Sequence, residues 1–340
     1  MDEDKGAMPA EPIMPEPYKD RSTGLMIFGI LTLLLGCLSA LFVPMMIVGR
    51  LAAPAGSQAP LSSIVPAVLI YGILAVALIW LGIGSITARR WARALLLIFS
   101  WSWLVMGIMT CAIMILILPK VIANIKSSAP ADHPVPSEVV TTMAITMAFF
   151  FAVIFIAMPA VWTFFYSSRH VKATCDARDP VVRWTDACPL PVLGVSIWLA
   201  FSAPMLLMTP LAGRGVTPFF GMFLTGIPGG LFCVLMAAVW AFSAWSLYKL
   251  RPIGWWVIII AICCVMLSSS MTFLIHDPIE MYRLMGYPES QIAQIEKVGF
   301  PAGKGFVGMF LIWLIPLLGY LFYIRKYIFR KDATNQPFAT

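Results

Sequence analysis

The chain has 340 residues, of which 60% are hydrophobic and only 11% are charged, and its formal net charge is +7. Soluble domains are about half apolar and about a quarter charged, so this composition excludes an ordinary soluble protein and indicates an integral membrane protein. Five of the seven cysteines lie in apolar runs, which excludes a disulfide-rich secreted scaffold.

The first 23 residues, MDEDKGAMPAEPIMPEPYKDRST, are polar, acidic and rich in proline. A signal peptide would begin with a short basic segment followed directly by an apolar core, and this segment does not have that order. Its low apolar content predicts a disordered cytoplasmic tail over residues 1–23.

Eight apolar runs follow, each close to the length of about twenty residues that crosses a bilayer as a helix. The predicted spans are 24–48, 64–87, 94–118, 139–166, 190–211, 227–248, 253–275 and 305–324. The run 216–248 is too long for one span, and Pro228-Gly229-Gly230 interrupts it. The sixth helix is therefore predicted to start there, with residues 212–226 as a re-entrant or interfacial segment.

Basic residues lie mainly on one side of these spans. Sixteen lysines and arginines fall on the side of both termini and of segment 169–189, and seven fall on the other side. The positive-inside rule predicts that the first side faces the cytoplasm, so that both termini are cytoplasmic.

Two halves of the chain resemble each other. ALIWLGIGSITARRWARALLLI, from Ala77, matches AAVWAFSAWSLYKLRPIGWWVIII, from Ala237, and further glycine, proline, threonine and tryptophan matches follow in order at spacings of 160 to 165 residues. Four spans per unit put both copies in the same orientation, which is a parallel repeat. The predicted fold is an all-α membrane protein of two tandem four-helix units, 24–168 and 190–324, joined by a cytoplasmic linker, 169–189, and followed by a basic tail, 325–340.

This unit, with its short basic RRWAR hairpin between the second and third helices, resembles a type of uncharacterised polytopic bacterial inner-membrane protein with a duplicated four-helix unit. The resemblance covers most of the chain. It implies a bacterial inner-membrane location and no particular activity.

The runs themselves contain no Lys, Arg, Asp, Glu or His. Ion-coupled transporters and proton relays place ionisable groups at membrane depth, so their absence from these runs disfavours such mechanisms. Pro228, Gly229 and Gly230 are the candidate helix break or gate, against the simpler interpretation of a flexible helix start. The serines and the threonine of LSSSMT, 267–272, suit helix packing, with contact to a polar substrate as the alternative.

The segment RHVKATCDARDPVVRWTDACPLP contains the weak metal-site candidates His170, Cys175 and Cys188. Thiolate and imidazole suit zinc, and a nearby aspartate could be the fourth ligand, but the close ligand pair typical of structural zinc sites is missing. Neighbouring basic residues could make either thiol reactive. The favoured interpretation is a solvated connector, the end of one repeat joined to the start of the next.

The longest outer loop, 276–303, is predicted to carry a short amphipathic helix from Pro288 that lies on the membrane surface or caps the bundle. Loop 119–138 occupies the matching place in the first half.

The leading functional hypothesis is a non-enzymatic membrane protein for helix-bundle interaction, scaffolding or assembly. The alternatives are a facilitator or carrier for a neutral or lipidic molecule between the two repeats, and a membrane sensor that uses Cys175 and Cys188. A lipid-acting enzyme ranks last. No catalytic residue and no cofactor are expected. Membrane lipids, a second copy or another membrane protein are the expected partners, without nucleic acid.

Overall fold

The structure, a computed structural model, describes residues 18–52, 61–128, 136–298 and 303–329. Its helices are α1 (Ser22–Ala52), α2 (Leu61–Ile86), α3 (Arg90–Ser128), α4 (Ser137–Ala152), α5 (Met158–Ser167), α6 (Arg169–Arg178), α7 (Leu190–Gly213), α8 (Gly226–Tyr248), α9 (Pro252–Ile275), α10 (Pro278–Leu284), α11 (Glu289–Val298) and α12 (Lys304–Ile328). A π-helical turn, Val153–Ala157, joins α4 to α5, and a 3-10 turn covers Trp184–Asp186. Strands β1 (Thr217–Phe219) and β2 (Met222–Leu224) pair antiparallel.

Eight helical segments within these ranges are long and apolar enough to cross a membrane: α1, α2, α3, α4 continued by α5, α7, α8, α9 and α12. They confirm the prediction of an α-helical membrane protein with eight long apolar helices. Within the candidate spans, which for α3 means Arg90–Ile115, charged residues occur only in the first or last four positions, where they can reach water. Most of the predicted N-terminal tail, 1–17, and the end of the basic tail, 330–340, lie outside the described residues.

Helix α3 continues to Ser128, well beyond the predicted end of the third span at 118. Pro119 lies inside this helix and does not end it. The sequence becomes less apolar after position 118 because the helix leaves the membrane there. The helix itself continues to Ser128. The first part of the predicted loop 119–138 is therefore helical, and residues 129–135 lie outside the described ranges.

The segment 212–226, predicted as re-entrant or interfacial, contains the β1–β2 hairpin. Gly221 in its turn has a φ of +91°, which glycine adopts without the clash that a Cβ would cause. Over the described ranges the fold is thus helical, with one short hairpin between α7 and α8.

The fourth span is interrupted by its π-helical turn. Pro159 follows this turn and has no N–H to donate to the carbonyl of Phe155, four residues earlier. That carbonyl oxygen faces Gly107 of α3 so closely that a Cβ on Gly107 would overlap it. The absence of a side chain at Gly107 lets α3 approach the interrupted helix.

A glycine seam joins α1 to α2, one of the two most extensive helix pairs in the fold. A Cβ on Gly29 would lie 2.9 Å from the carbonyl oxygen of Gly82, and a Cβ on Gly82 would lie 2.9 Å from the carbonyl oxygen of Gly29. Small residues let helix backbones approach where no hydrophobic effect drives helices together. The pair α7–α8 is the other extensive contact.

The described residues form two buried clusters, one mainly in each half of the chain. Tyr166 and Cys175 belong to the first cluster, and Cys188 and Trp255 belong to the second. Helix α3 contributes to both clusters. Leu96 packs in the first cluster, and Ile98, two residues further along the same helix, packs in the second.

Candidate functional site

The segment predicted as a solvated linker, 169–189, is a packed element. Helix α6 turns Val171, Thr174 and Cys175 inward, at the i, i+3, i+4 spacing of one helical face. The same helix also binds the chain that leads into α1. The Lys19 amide donates to Nδ1 of His170 at 3.3 Å, and the Arg21 amide donates to the Thr174 hydroxyl at 3.1 Å.

A charge cluster forms where this segment meets the α2–α3 turn. We call it the Asp179 cluster; its members are Arg89, Arg90, Asp176, Asp179, Arg183 and Asp186. The Asp179 side chain is 1% exposed, and its carboxylate lies 3.5 Å from Nη1 of Arg89 and 3.6 Å from Nε of Arg183. Arg90 bridges two further carboxylates, 3.0 Å from Asp176 and 3.6 Å from Asp186.

The Asp179 cluster therefore ties three chain segments together: the turn between α2 and α3, the end of α6, and the 3-10 turn before α7. A buried carboxylate is tolerated only when cations and hydrogen bonds compensate its lost hydration. The basic residues that the sequence marks as orientation signals also fasten the 169–189 segment to the turn between α2 and α3.

The structure does not bring the metal candidates together. Cys175 lies in the first buried cluster at 1% exposure, and Cys188 lies in the second at 5%. Nδ1 of His170 accepts the Lys19 amide hydrogen. Within the described ranges, no group of three or more His, Cys, Asp or Glu side chains is arranged to hold a metal ion.

Burial also governs the chemistry of the two thiols. It raises the pKa of Cys175 to about 11, although Arg93 nearby acts in the opposite direction, and it raises the pKa of Cys188 to about 11. A thiol with such a pKa is protonated at neutral pH and is a poor nucleophile. The arrangement suits packing better than sensing.

The candidate gate, Pro228, Gly229 and Gly230, occupies the first turn of α8. A Cβ on Gly229 would overlap the carbonyl oxygen of Gly215, so glycine is needed there for the close approach of the chain before the hairpin. The Gly226 amide donates to the carbonyl of Arg214 at 2.9 Å, which closes the same turn. These residues shape a helix start beside the hairpin.

The polar patch of α9 holds the β-hairpin. Ser268 accepts the Phe220 amide hydrogen at 2.9 Å, and Thr272 accepts the Gly221 amide hydrogen at 3.1 Å. Nε2 of His276 lies 3.2 Å from the Gly221 carbonyl oxygen. The hydroxyls considered for a substrate thus satisfy the backbone of the hairpin turn.

Sequence reasoning missed an open groove of about 730 Å³ between α7 and α8. Six alanines line it: Ala200, Ala203, Ala237, Ala238, Ala241 and Ala244. The signal was present in AAVWAFSAW, where the α8 alanines at 237, 238, 241 and 244 follow the i, i+1, i+4, i+7 spacing of one helix face. Because the side chains on both helices are small, the groove between them stays open. Larger side chains would fill it.

Aromatic residues close the groove at one end. Trp184, Trp245 and Tyr248 line this end, and the Tyr248 hydroxyl donates to the Trp184 carbonyl at 3.0 Å. Two cations lie against this aromatic wall. The guanidinium carbon of Arg251 is 4.5 Å from a Trp245 ring centroid, and Nζ of Lys249 is 5.6 Å from the Tyr248 ring centroid.

The fold defines a multi-pass α-helical membrane protein with an open apolar groove between α7 and α8. No family model, curated protein or solved structure matches the chain.

Proposed function

We propose that this protein is a non-enzymatic inner-membrane protein of two tandem four-helix units, with both termini in the cytoplasm, that holds another membrane component in the α7–α8 groove. The observation that carries the proposal is the groove itself. It is apolar, has the volume of a small-ligand site, and opens on the side of helices that an acyl chain or a partner can reach.

Two matching turns support the tandem units. Ala88, between α2 and α3, and Leu250, between α8 and α9, are 162 residues apart and have φ values of 53° and 55°. Such left-handed conformations are uncommon for residues other than glycine. The Ala88 amide donates to the Ser85 carbonyl at 2.9 Å, and the Leu250 amide donates to the Leu247 carbonyl at 2.8 Å. The same unusual turn at the repeat spacing favours duplication.

The grouping of basic residues supports the orientation. The start of α1, the two matching turns and the 169–189 segment contact one another through Arg178 and Asp20, Arg89 and Asp179, and Tyr248 and Trp184. We call this end of the bundle the basic side. Loops rich in lysine and arginine stay in the cytoplasm during insertion, which favours a cytoplasmic basic side.

Polar pairs inside the bundle support a structural use of its hydroxyl groups. The Tyr166 hydroxyl lies 2.7 Å from the Ser85 hydroxyl, and the Trp162 indole N–H donates to the Thr32 hydroxyl at 3.3 Å. Both pairs join helices of the first half, and they give these polar groups a packing role at membrane depth.

Filling the groove tests the proposal. We expect Ala241→Trp to prevent binding of the component, because the indole would occupy the α7–α8 groove. The matched control is Leu235→Trp, on the same helix at a side chain that is 58% exposed and outside the groove. Native mass spectrometry of protein released from membranes in mild detergent measures the mass that each variant retains.

The expected result is a bound mass in the unmodified protein and in Leu235→Trp that Ala241→Trp lacks. Equal retention by both variants would overturn the proposal, since the component would then bind elsewhere. Gel filtration and helical circular dichroism confirm that both variants are folded before they are compared.

A further inference from the structure

We propose that the component held in the α7–α8 groove is an anionic glycerophospholipid, with one acyl chain along the alanines and its phosphate at Lys249 and Arg251. This inference rests on the proposed function, because it names the chemistry of the molecule in the same groove.

The groove is long enough to hold a lipid chain. Along α8 it extends from Tyr248 at the basic side to Val234. Fourteen residues rise about 21 Å in an α-helix, whereas one leaflet of the hydrocarbon core is about 15 Å thick. An acyl chain that starts at the basic side and ends at the middle of the bilayer can therefore lie entirely within the groove.

The position and lining of the groove favour a chain over a helix. A helix is about 10 Å across, whereas the groove lies between two neighbouring helices and is lined by small side chains. An acyl chain is narrow enough to be enclosed between Ala200 and Ala241, which are both exposed in the structure.

Two cations at the end of the groove indicate the charge of the headgroup. Across the described residues, neither Lys249 nor Arg251 has a carboxylate partner within 4.0 Å, whereas the arginines of the Asp179 cluster are paired. The guanidinium carbon of Arg251 lies 4.5 Å from a ring centroid of Trp245, which lines the groove. Phosphate oxygens accept charge-assisted hydrogen bonds from such cationic groups.

The aromatic wall fits the same position in a membrane. Trp184 and Trp245 are about half exposed, and Tyr248 carries its hydroxyl toward the basic side. Tryptophan and tyrosine concentrate at the level of lipid headgroups, where one part of the ring system is apolar and the other is hydrated. The headgroup of a lipid in the groove would lie at this level, beside the two cations.

The test compares two lipids that share acyl chains and differ in headgroup charge. Delipidated full-length protein in detergent is titrated with phosphatidylglycerol or with phosphatidylcholine, and native mass spectrometry measures the bound fraction. The paired variant Lys249→Gln/Arg251→Gln removes the two groove cations. The matched control, Lys172→Gln/Lys326→Gln, removes two exposed basic-side charges away from the groove.

We expect phosphatidylglycerol to bind more tightly than phosphatidylcholine, and the groove pair to weaken phosphatidylglycerol binding by about tenfold. The control pair should retain the preference. Added inorganic phosphate should not displace the lipid, because the acyl chain contributes to binding. Displacement by phosphate alone would overturn the inference, since the site would then recognise a free anion.

Equal binding of the two lipids, or equal losses in the groove and control pairs, would overturn the headgroup assignment and leave the groove as the proposed binding surface. Phosphatidylglycerol binding that survives unchanged in Ala241→Trp would instead overturn the groove, and with it the proposed function. The two failures are therefore distinguishable.

Discussion

The carboxylate of Asp179 and the guanidinium of Arg89 lie 3.5 Å apart, and the aspartate is 1% exposed although the arginine is 45% exposed. This pair joins α6 to the turn between α2 and α3. It gives residues 169–189 a structural role that their polar composition does not suggest.

Replacement of Asp179 tests that role. Asp179→Asn keeps the shape but leaves Arg89 and Arg183 without their shared carboxylate. We expect a loss of about 2 kcal/mol of stability, less than for a fully buried pair because both arginines are partly hydrated. Thermal unfolding in detergent measures the change. Asp176→Asn, at a 38% exposed side chain, should cost less than about 1 kcal/mol, and equal losses in the two variants would contradict this account.

The glycine seam gives a second prediction. Gly82→Ala places a Cβ 2.8 Å from the Leu33 amide nitrogen, so α1 and α2 must separate. We expect destabilisation of about 2 kcal/mol in thermal unfolding. Gly72→Ala, on the same helix with open space around it, should be neutral or stabilising by up to about 1 kcal/mol. Unchanged stability in Gly82→Ala would show that α1 and α2 do not depend on this close backbone contact.

Thiol reactivity gives a third prediction. Because burial raises the pKa of Cys175 to about 11, its thiolate is scarce at pH 7.5 and maleimide should label it slowly. An introduced thiol, Lys172→Cys, on the exposed face of the same helix should react much faster. Rapid labelling of Cys175 in the folded protein would contradict this prediction and would favour the alternative of a membrane sensor that uses Cys175 and Cys188.

The same raised pKa makes stability depend on pH. Between the ordinary thiol pKa of 9.0 and about 11, unfolded chains lose the Cys175 proton while folded chains keep it. Folded protein therefore binds more protons in that window, and stability falls as pH rises through it. Below pH 9 the contribution is fully present. Cys175→Ala should show a shallower decline from pH 9 to 11 in unfolding experiments, and an unchanged decline would contradict the assigned cause.

Binding of the hairpin by α9 gives a further prediction. Ser268→Ala removes the acceptor of the Phe220 amide, and we expect a loss of about 1 to 2 kcal/mol together with faster hydrogen exchange at Phe220. Ser270→Ala, two residues along the same helix, is the control. Equal exchange at Phe220 in both variants would contradict the hairpin role of Ser268.

The proposed orientation gives a last prediction. With the basic side in the cytoplasm, an impermeant maleimide should label Met222→Cys in the hairpin from outside intact inner membranes, and Lys172→Cys only after permeabilisation. Met222 is 56% exposed. The reverse labelling pattern would overturn the proposed topology.

Much of the architecture follows from local sequence properties. Hydropathy predicts the eight long apolar helices, because a bilayer accepts only helices whose length and polarity match its core. The ends of elements were less predictable. Pro119 does not stop α3, and PFFGMF forms a hairpin whose partner hydroxyls lie about fifty residues later in the sequence.

The groove, too, could be predicted from the sequence only in part. The alanine spacing of α8 is legible in the sequence, but a groove also needs α7 opposite it and an aromatic wall that includes Trp184 from another segment. Nothing within α8 alone indicates that its small face remains open.

The sequence by itself determined the membrane class and the eight long apolar helices, since each depends on the composition of one continuous segment. Only the tertiary structure decided that Cys175 and Cys188 are buried in separate clusters, that Asp179 is a buried tie between segments, and that α7 and α8 leave a groove. Those outcomes depend on packing between residues distant in the chain, and burial and neighbouring charge set the chemistry of each group.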